Sequence, residues 1–144
     1  MSKAEIAKEN FSSYNCAQSV LAAYAPDFGL DKETALSLAV GFGAGIGRLQ
    51  ETCGAVTGAV MAIGLSSRFK ESDGRPKINE VYDKVHRFID ELTAEMKTVN
   101  CRELLKCDLS SEEGQKFFRE YNLRDKCHGY VKLCCDLLDK YLET

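Results

Sequence analysis

Apolar residues recur at intervals of three and four along most of the chain, and few segments alternate with a period of two. This spacing puts apolar side chains on one face of an α-helix and is not typical of strands. The pattern therefore predicts an all-α fold with a bundle of about six helices. A chain of 144 residues is long enough for one hydrophobic core, so we expect a compact single domain over residues 1–144.

The first half of the chain predicts helices that lead into an unusual loop. The first predicted helix covers 2–11 and resumes over 16–24, and a second begins after Asp31. The second helix ends in the segment 41–47, where four alternating glycines allow backbone conformations that side chains disfavour. We therefore expect a tight glycine-rich loop directly before the next helix.

That next helix is predicted to be the central one. It runs over 53–69, and its uncharged stretch 53–65 indicates burial on most sides. The polar segment 70–77 predicts a surface connection, and apolar residues at helical spacing then predict a long amphipathic helix over 78–99. Three shorter helices are expected to begin after Asn100, Ser110 and Asp125.

The overall charge disfavours two classes of partner. There are 19 basic and 22 acidic residues, for a net charge of −3. This balance does not provide the positive surface that nucleic acid or an anionic membrane selects. No apolar run approaches the ~20 residues that cross a bilayer, and no secretory pattern follows Met1. We therefore expect a cytoplasmic protein that binds neither nucleic acid nor membrane.

The seven cysteines are the main chemical feature. An odd number of cysteines in a reducing compartment favours free thiols, metal ligands or redox groups over structural disulfides. None of the cysteines forms a C-x-x-C pair, so a zinc ribbon, a thioredoxin-type pair, a ferredoxin run and c-type haem attachment have no support. Any thiol site must be assembled by the fold from these residues: Cys16, Cys53, Cys101, Cys107, Cys127, Cys134 and Cys135.

Four of these cysteines follow residues that favour helix N-caps. The predicted caps are Asn15, Thr52, Asn100 and Asp125, and the cysteines are Cys16, Cys53, Cys101 and Cys127. The positive end of a helix stabilises a thiolate, so we expect a lowered pKa for these thiols. Arg48, close to Cys53 in sequence, is a further candidate for lowering the pKa of its thiol. Cys135 lies on an apolar stripe of its predicted helix, which predicts core packing. The roles of Cys107 and Cys134 stay open.

The stretch 51–59 carries a family resemblance. Cys53-Gly54-Ala55 with Gly58, together with Cys16 upstream and Cys101 and Cys127 downstream, resembles the C_GCAxxG_C_C family of redox-active proteins. This family is related to the C-terminal domain of split-Soret cytochromes. The Gly and Cys of the central motif stand here in the reverse order to the family name. The resemblance covers nearly the whole chain.

The resemblance implies a redox or electron-transfer role for the four matched cysteines, Cys16, Cys53, Cys101 and Cys127. They would act as catalytic thiol/disulfide pairs, or as metal ligands of an iron–sulfur cluster with Gly54 and Gly58 in the cofactor-binding site. Without a cluster no cofactor is needed, and a c-type haem is not expected.

Two other functions stay open at this point. The same four cysteines also match a non-catalytic four-thiolate site for zinc or another soft metal. Alternatively, the chain is a helical interaction module whose cysteines all belong to the core. A redox function requires a partner protein that the sequence does not identify. The small residues Gly54, Gly58 and Ala62 and the long amphipathic helix would suit a homodimer.

Overall fold

A computed structural model describes residues 1–142 and confirms an all-α fold, with no strand in that range. Residues 143–144 of the predicted domain lie outside the described range. Eight α-helices lie within it: α1 (Lys3–Asn10), α2 (Cys16–Tyr24), α3 (Lys32–Ala39), α4 (Gly54–Ser66), α5 (Gly74–Met96), α6 (Cys101–Leu105), α7 (Glu112–Glu120) and α8 (Arg124–Leu138). Short 3-10 turns cover 25–28, 40–42 and 139–141.

Residues 1–142 contain more helices than the six predicted, because α1 and α2, expected as one interrupted helix, begin at separate N-caps. Asn15 accepts a hydrogen bond from the Gln18 backbone N–H, and the Gln18 side chain accepts one in return from the Asn15 N–H. This capping box makes α2 a separate helix instead of a continuation of α1. The long helix α5 also begins earlier than predicted, since Pro76 lies in its first turn, where a missing N–H costs no helical hydrogen bond.

The helix pair α2 and α4 forms the centre of the core. The α4 side chains Ala55, Ala59 and Ile63 are fully buried, as expected for the uncharged helix. A Cβ added to Gly58 would lie 2.7 Å from the Ala17 carbonyl oxygen of α2. The absence of a side chain at Gly58 therefore permits the two helix backbones to pack in direct contact.

Helices α5 and α8 pack on this central pair. One face of α5 buries Phe88, Leu92 and Met96, which confirms its amphipathic pattern. The Tyr24 hydroxyl of α2 donates to the Cys135 carbonyl oxygen of α8 at 3.1 Å. This buried hydrogen bond fixes α8 against α2.

No helix within residues 1–142 combines the length and the apolar character needed to span a bilayer.

Candidate thiol redox site

An antiparallel backbone bridge between Thr52 and Asn100 brings two distant cysteines together. On one side of it the Cys53 N–H donates to the Val99 carbonyl at 2.7 Å. On the other side the Cys101 N–H donates to the Glu51 carbonyl at 2.6 Å. These bonds place the start of α4 beside the start of α6, although the two segments are far apart in sequence.

Gln50 holds the same region together through its side chain, which is only 2% exposed. Its Nε2 donates to the Cys107 carbonyl at 2.8 Å, and its Oε1 accepts from the Leu109 N–H at 2.8 Å. The Gln50 side chain also lowers the pKa of the Cys101 thiol, in opposition to the effect of burial. Gln50 is therefore a buried positioning group for the loop that follows α6, and the sequence pattern did not single it out.

The glycine-rich loop has an unexpected backbone conformation. Five consecutive residues, 44–48, have positive φ values between 52° and 67°. Gly45 and Gly47 adopt this conformation freely, but Ala44, Ile46 and Arg48 do so at a steric cost. The alternating glycines thus indicated a special loop correctly, but they did not indicate that the left-handed region extends through their neighbours.

Cys16 approaches this assembly from α2. A Cβ added to Gly54 would lie 2.3 Å from the Cys16 Sγ atom, so that sulfur packs directly on the first residue of α4. The neighbouring Asn15 side chain donates to the Val40 carbonyl at 2.9 Å. The start of α2 is thereby tied to the segment that leads into the glycine-rich loop.

Cys127 reaches the same place from α8. It is the fourth residue of that helix, and Arg124 lies one turn before it. The Arg124 guanidinium donates to the Phe11 carbonyl and lies 4.2 Å from the centre of the Phe11 ring. These two contacts hold a cation beside the Cys127 thiol.

All four predicted cysteines line one cavity of about 550 Å³. Gly54 also lines it, whereas Gly58 lies outside the lining and packs on α2. Sequence reasoning missed the lining residues Arg119, Arg124 and Tyr130. Arg124 precedes Cys127 by three residues, a spacing that indicates proximity only once both are known to be helical.

Two of the four predicted helix caps differ in the structure. Asn15 and Asn100 do cap α2 and α6 with their side chains. Cys53, not Thr52, is the N-cap residue of α4. The cap of α8 is Leu123, not Asp125, so Cys127 lies inside the first turn. The helix that was expected after Ser110 is capped one residue later, by Ser111.

The expectation of lowered thiol pKa values is wrong for three cavity cysteines. Burial, followed by the nearby Cys16 sulfur, raises the pKa of Cys101 to about 11. The same two causes raise the pKa of Cys127 to about 12 and that of Cys53 well above its usual value. Backbone N–H groups at the start of α4 lower the pKa of Cys53 by less than burial raises it.

The electrostatic couplings place Cys16 at the centre of the set. A charge on Cys16 is, after burial, the largest influence that raises the pKa of Cys53, Cys101 and Cys127. All seven cysteines are free thiols. One thiolate in the cavity therefore disfavours ionisation of its neighbours.

The three remaining cysteines have different surroundings. Cys134 and Cys135 are buried in the core, as predicted for Cys135, and burial is the first cause that raises the pKa of both thiols. Charges on Cys53 and Cys16 also raise the pKa of Cys134, which does not line the cavity. Cys107 is half-buried on the other side of Cys101 and packs in the small cluster with Leu105 and Leu109.

The family resemblance suggests an iron–sulfur cluster at the four cavity cysteines. Four thiols are the correct donors in type and number. Over residues 1–142, however, no three His, Cys, Asp or Glu side chains converge closely enough to hold a metal ion. The thiols of the described residues share a cavity without forming a preassembled ligand set.

Comparison with known proteins finds no match among curated proteins and none among solved structures. One family model matches residues 14–141, and its description reads "Putative redox-active protein (C_GCAxxG_C_C)". The match spans all four cavity cysteines and most of the chain. The chain therefore belongs to the C_GCAxxG_C_C family.

Proposed function

We propose that this protein exchanges electrons through thiol–disulfide chemistry, with Cys16 as the attacking thiol. The observation that carries the proposal is the arrangement of the four family cysteines. They come from four separate helix starts, yet they line one cavity, and Cys16 is coupled to the other three. Family membership supports the coarser statement that the protein is redox-active.

Cys16 is the best candidate for attack because of its position. It is the first residue of the nine-residue helix α2, and its sulfur packs directly on the first residue of α4 in the cavity wall. It is partly exposed, whereas Cys53 and Cys101 are 8% and 7% exposed. The other three cavity thiols have raised pKa values, so they are protonated at neutral pH and suit the role of resolving thiols.

The reaction needs a disulfide as its oxidant. The Cys16 thiolate attacks one sulfur of the substrate disulfide, which forms a mixed disulfide and releases the first substrate thiolate. A second cavity thiol loses its proton to this leaving group and attacks the Cys16 sulfur. This step forms an internal disulfide and releases the second half of the substrate. Two protein thiols are thereby oxidised, and one substrate disulfide is reduced to two thiols.

A soft-metal site with the same four cysteines is the second candidate. It is favoured by the donor set alone, because four thiols suit an iron–sulfur cluster or zinc. Metal analysis of anaerobically purified protein separates the two candidates. One equivalent of zinc, or iron with visible absorption that bleaches on reduction, would favour the metal site; a colourless, metal-free protein whose thiols oxidise reversibly supports thiol exchange.

The direct test is to trap the internal disulfide. Reduced protein is treated with a small excess of hydroxyethyl disulfide, the remaining thiols are alkylated, and the linked peptides are identified by mass spectrometry. We expect the reversible loss of two thiols and a link that joins Cys16 to Cys53, Cys101 or Cys127. The Cys16→Ala variant should form no such link, and Cys134→Ala should behave as wild type. A disulfide that forms equally well without Cys16 would contradict the proposal.

A further inference from the structure

The thiol cavity has an uneven distribution of charge. Three guanidinium groups, those of Arg48, Arg119 and Arg124, belong to residues that line it. The same lining, taken over residues 1–142, contains no Asp or Glu. The whole chain carries a net charge of −3, so the positive lining is a local feature and not a reflection of the general surface.

The three arginines differ in how they are held. Arg124 is fixed by its hydrogen bond to the Phe11 carbonyl and by its position over the Phe11 ring. Arg48 and Arg119 are exposed and form no ion pair with the carboxylates of residues 1–142. Arg48 also stands in the left-handed loop at a φ of 67°, which is sterically unfavourable for an arginine. Two cations at the cavity are thus available to a ligand.

An anionic substrate requires positive charge near the attacking thiol, because the reaction brings negative charges together. An attacking Cys16 thiolate repels a negatively charged disulfide, and the released thiolate adds further negative charge within the cavity. Guanidinium groups beside the thiols offset both effects, and they bind carboxylates in a forked geometry. The same guanidinium groups would repel a cationic substrate.

The size of the cavity limits the substrate as well. A volume of about 550 Å³ lies within the range of small-molecule sites and is too small for a folded protein surface. Apolar side chains such as Leu105, Leu109 and Phe118 form much of its wall. The occupant is therefore a small molecule with a compact apolar part and charged groups that reach the arginines.

We infer that the cavity selects a small anionic disulfide, one that carries carboxylate groups, as the substrate of Cys16. This inference rests on the proposed thiol–disulfide function. Arg48 and Arg119 bind the carboxylates, and Arg124 stabilises the charge that develops beside Cys127.

Three aliphatic disulfides of different charge provide the test: dithiodiglycolate, hydroxyethyl disulfide and cystamine, which are anionic, neutral and cationic. The rate of each reaction with the reduced protein is divided by its rate with 3-mercaptopropanol, a neutral reference thiol, which removes differences in intrinsic reactivity. We expect the normalised rate to be at least about tenfold higher for dithiodiglycolate than for the neutral disulfide, and lowest for cystamine. The advantage should decrease as salt is raised from about 0.05 to 0.5 M, because salt screens exposed charges.

Variants then assign the effect to the arginines. Arg48→Gln combined with Arg119→Gln should remove most of the anionic preference, so that the ratio of the normalised rates for dithiodiglycolate and hydroxyethyl disulfide falls to within about twofold of one. Arg75→Gln, an exposed arginine on α5 that does not line the cavity, is the matched control and should keep the preference. Circular dichroism checks that each variant keeps its helices.

The outcomes distinguish the inference from the function on which it rests. If the wild-type protein reduces all three disulfides at equal normalised rates, the inference is wrong and thiol exchange still stands. If hydroxyethyl disulfide gives no linked product at all, the proposed function fails and the inference fails with it. Should the double variant not fold, the comparison of the three disulfides with the wild-type protein decides alone.

Discussion

Two groups of cysteines in this molecule show how the surroundings of a thiol determine its chemistry. Cys16, Cys53, Cys101 and Cys127 line a cavity next to three arginines. Cys134 and Cys135 lie in the middle of α8 and are 0% and 1% exposed. Burial raises the pKa of thiols in both groups, so a raised pKa by itself does not separate a redox thiol from a core thiol.

The two groups differ instead in their access to a substrate and in the charged side chains around them. Cavity thiols have neighbouring cations, and Arg124 lowers the pKa of Cys127 in opposition to the effect of burial. Cys135 has nearby carboxylates, Asp136 and Asp139, which raise the pKa of its thiol further. A substrate can therefore reach the cavity thiols beside these cations, whereas Cys134 and Cys135 are closed off in the core. The comparison predicts that substitutions in the cavity change reactivity, whereas substitutions in the core change stability.

The largest expected effect comes from removing the central cavity thiol. Cys16→Ala should reduce the rate of hydroxyethyl disulfide reduction by at least about a hundredfold, because burial raises the pKa of each remaining cavity thiol and leaves little thiolate to attack. The mercaptoethanol released, separated from the protein and quantified under anaerobic conditions, gives the rate. Cys134→Ala is the core control and should retain the wild-type rate within about twofold. A similar loss in both variants would show that the two groups are not distinct.

The core group should determine part of the stability at alkaline pH. The pKa of Cys135 is about 12 in the folded protein, above the ordinary value of 9.0, so the unfolded state loses this proton first. The stabilisation is complete below pH 9 and is lost as the pH rises towards 12. At about pH 10.5 the loss from this thiol is about 2 kcal/mol relative to pH 8.

Urea unfolding at the two pH values tests this expectation. Wild type and Cys135→Ala should differ less at the higher pH, by about that amount, because the variant lacks the titrating thiol. A difference that does not change with pH would contradict the assignment of Cys135 to the dry core.

The fold could be predicted from sequence more fully than the site. Apolar spacing identified the all-α class, the buried helix α4 and the amphipathic face with Phe88 and Leu92, because each pattern is local and periodic. The short helix α6 and the exact starts of α4 and α8 depend on backbone bonds to distant segments, such as that between Cys53 and Val99. No local pattern contains that information.

For the site, the family motif identified the four cysteines that line the cavity, but not what surrounds them. The expected lowering of the thiol pKa values considered only helix ends and omitted desolvation, which depends on tertiary packing. Arg119 and Arg124 enter the cavity only when α7 and α8 pack near α1 and the glycine-rich loop. Gln50, whose buried side chain makes two long-range hydrogen bonds, was equally beyond the reach of sequence patterns.

Substitution of Gly54 in the cavity wall is expected to have a smaller effect on the reaction rate than removal of Cys16. Gly54→Ala places a Cβ 2.3 Å from the Cys16 sulfur, so the thiol must move. We expect the rate of disulfide reduction to fall about tenfold, since a displaced nucleophile loses alignment with its substrate. Gly64→Ala is the matched control in the same helix, because nothing lies within 4 Å of its Cβ.

The control should keep the wild-type rate and raise the free energy of unfolding by about 0.5–1 kcal/mol, as expected for alanine in place of a helical glycine. Equal rates in the two variants would show that the contact between Gly54 and Cys16 is unimportant for reactivity.

The smallest expected effect compares one serine substitution in each group. Cys134→Ser puts a hydroxyl into a fully buried position, where it competes poorly for partners, and should lower the free energy of unfolding by about 1 kcal/mol. Cys16→Ser leaves the hydroxyl partly exposed at a helix start, so its stability should stay within about 0.5 kcal/mol of wild type. Urea midpoints at neutral pH measure both changes. Cys16→Ser removes the attacking thiol and should leave stability unchanged, whereas Cys134→Ser should lower stability and leave reactivity unchanged. Both variants replace one sulfur by oxygen, so the pair separates an effect on folding from an effect on function. Equal losses of stability would mean that Cys16 belongs to the core.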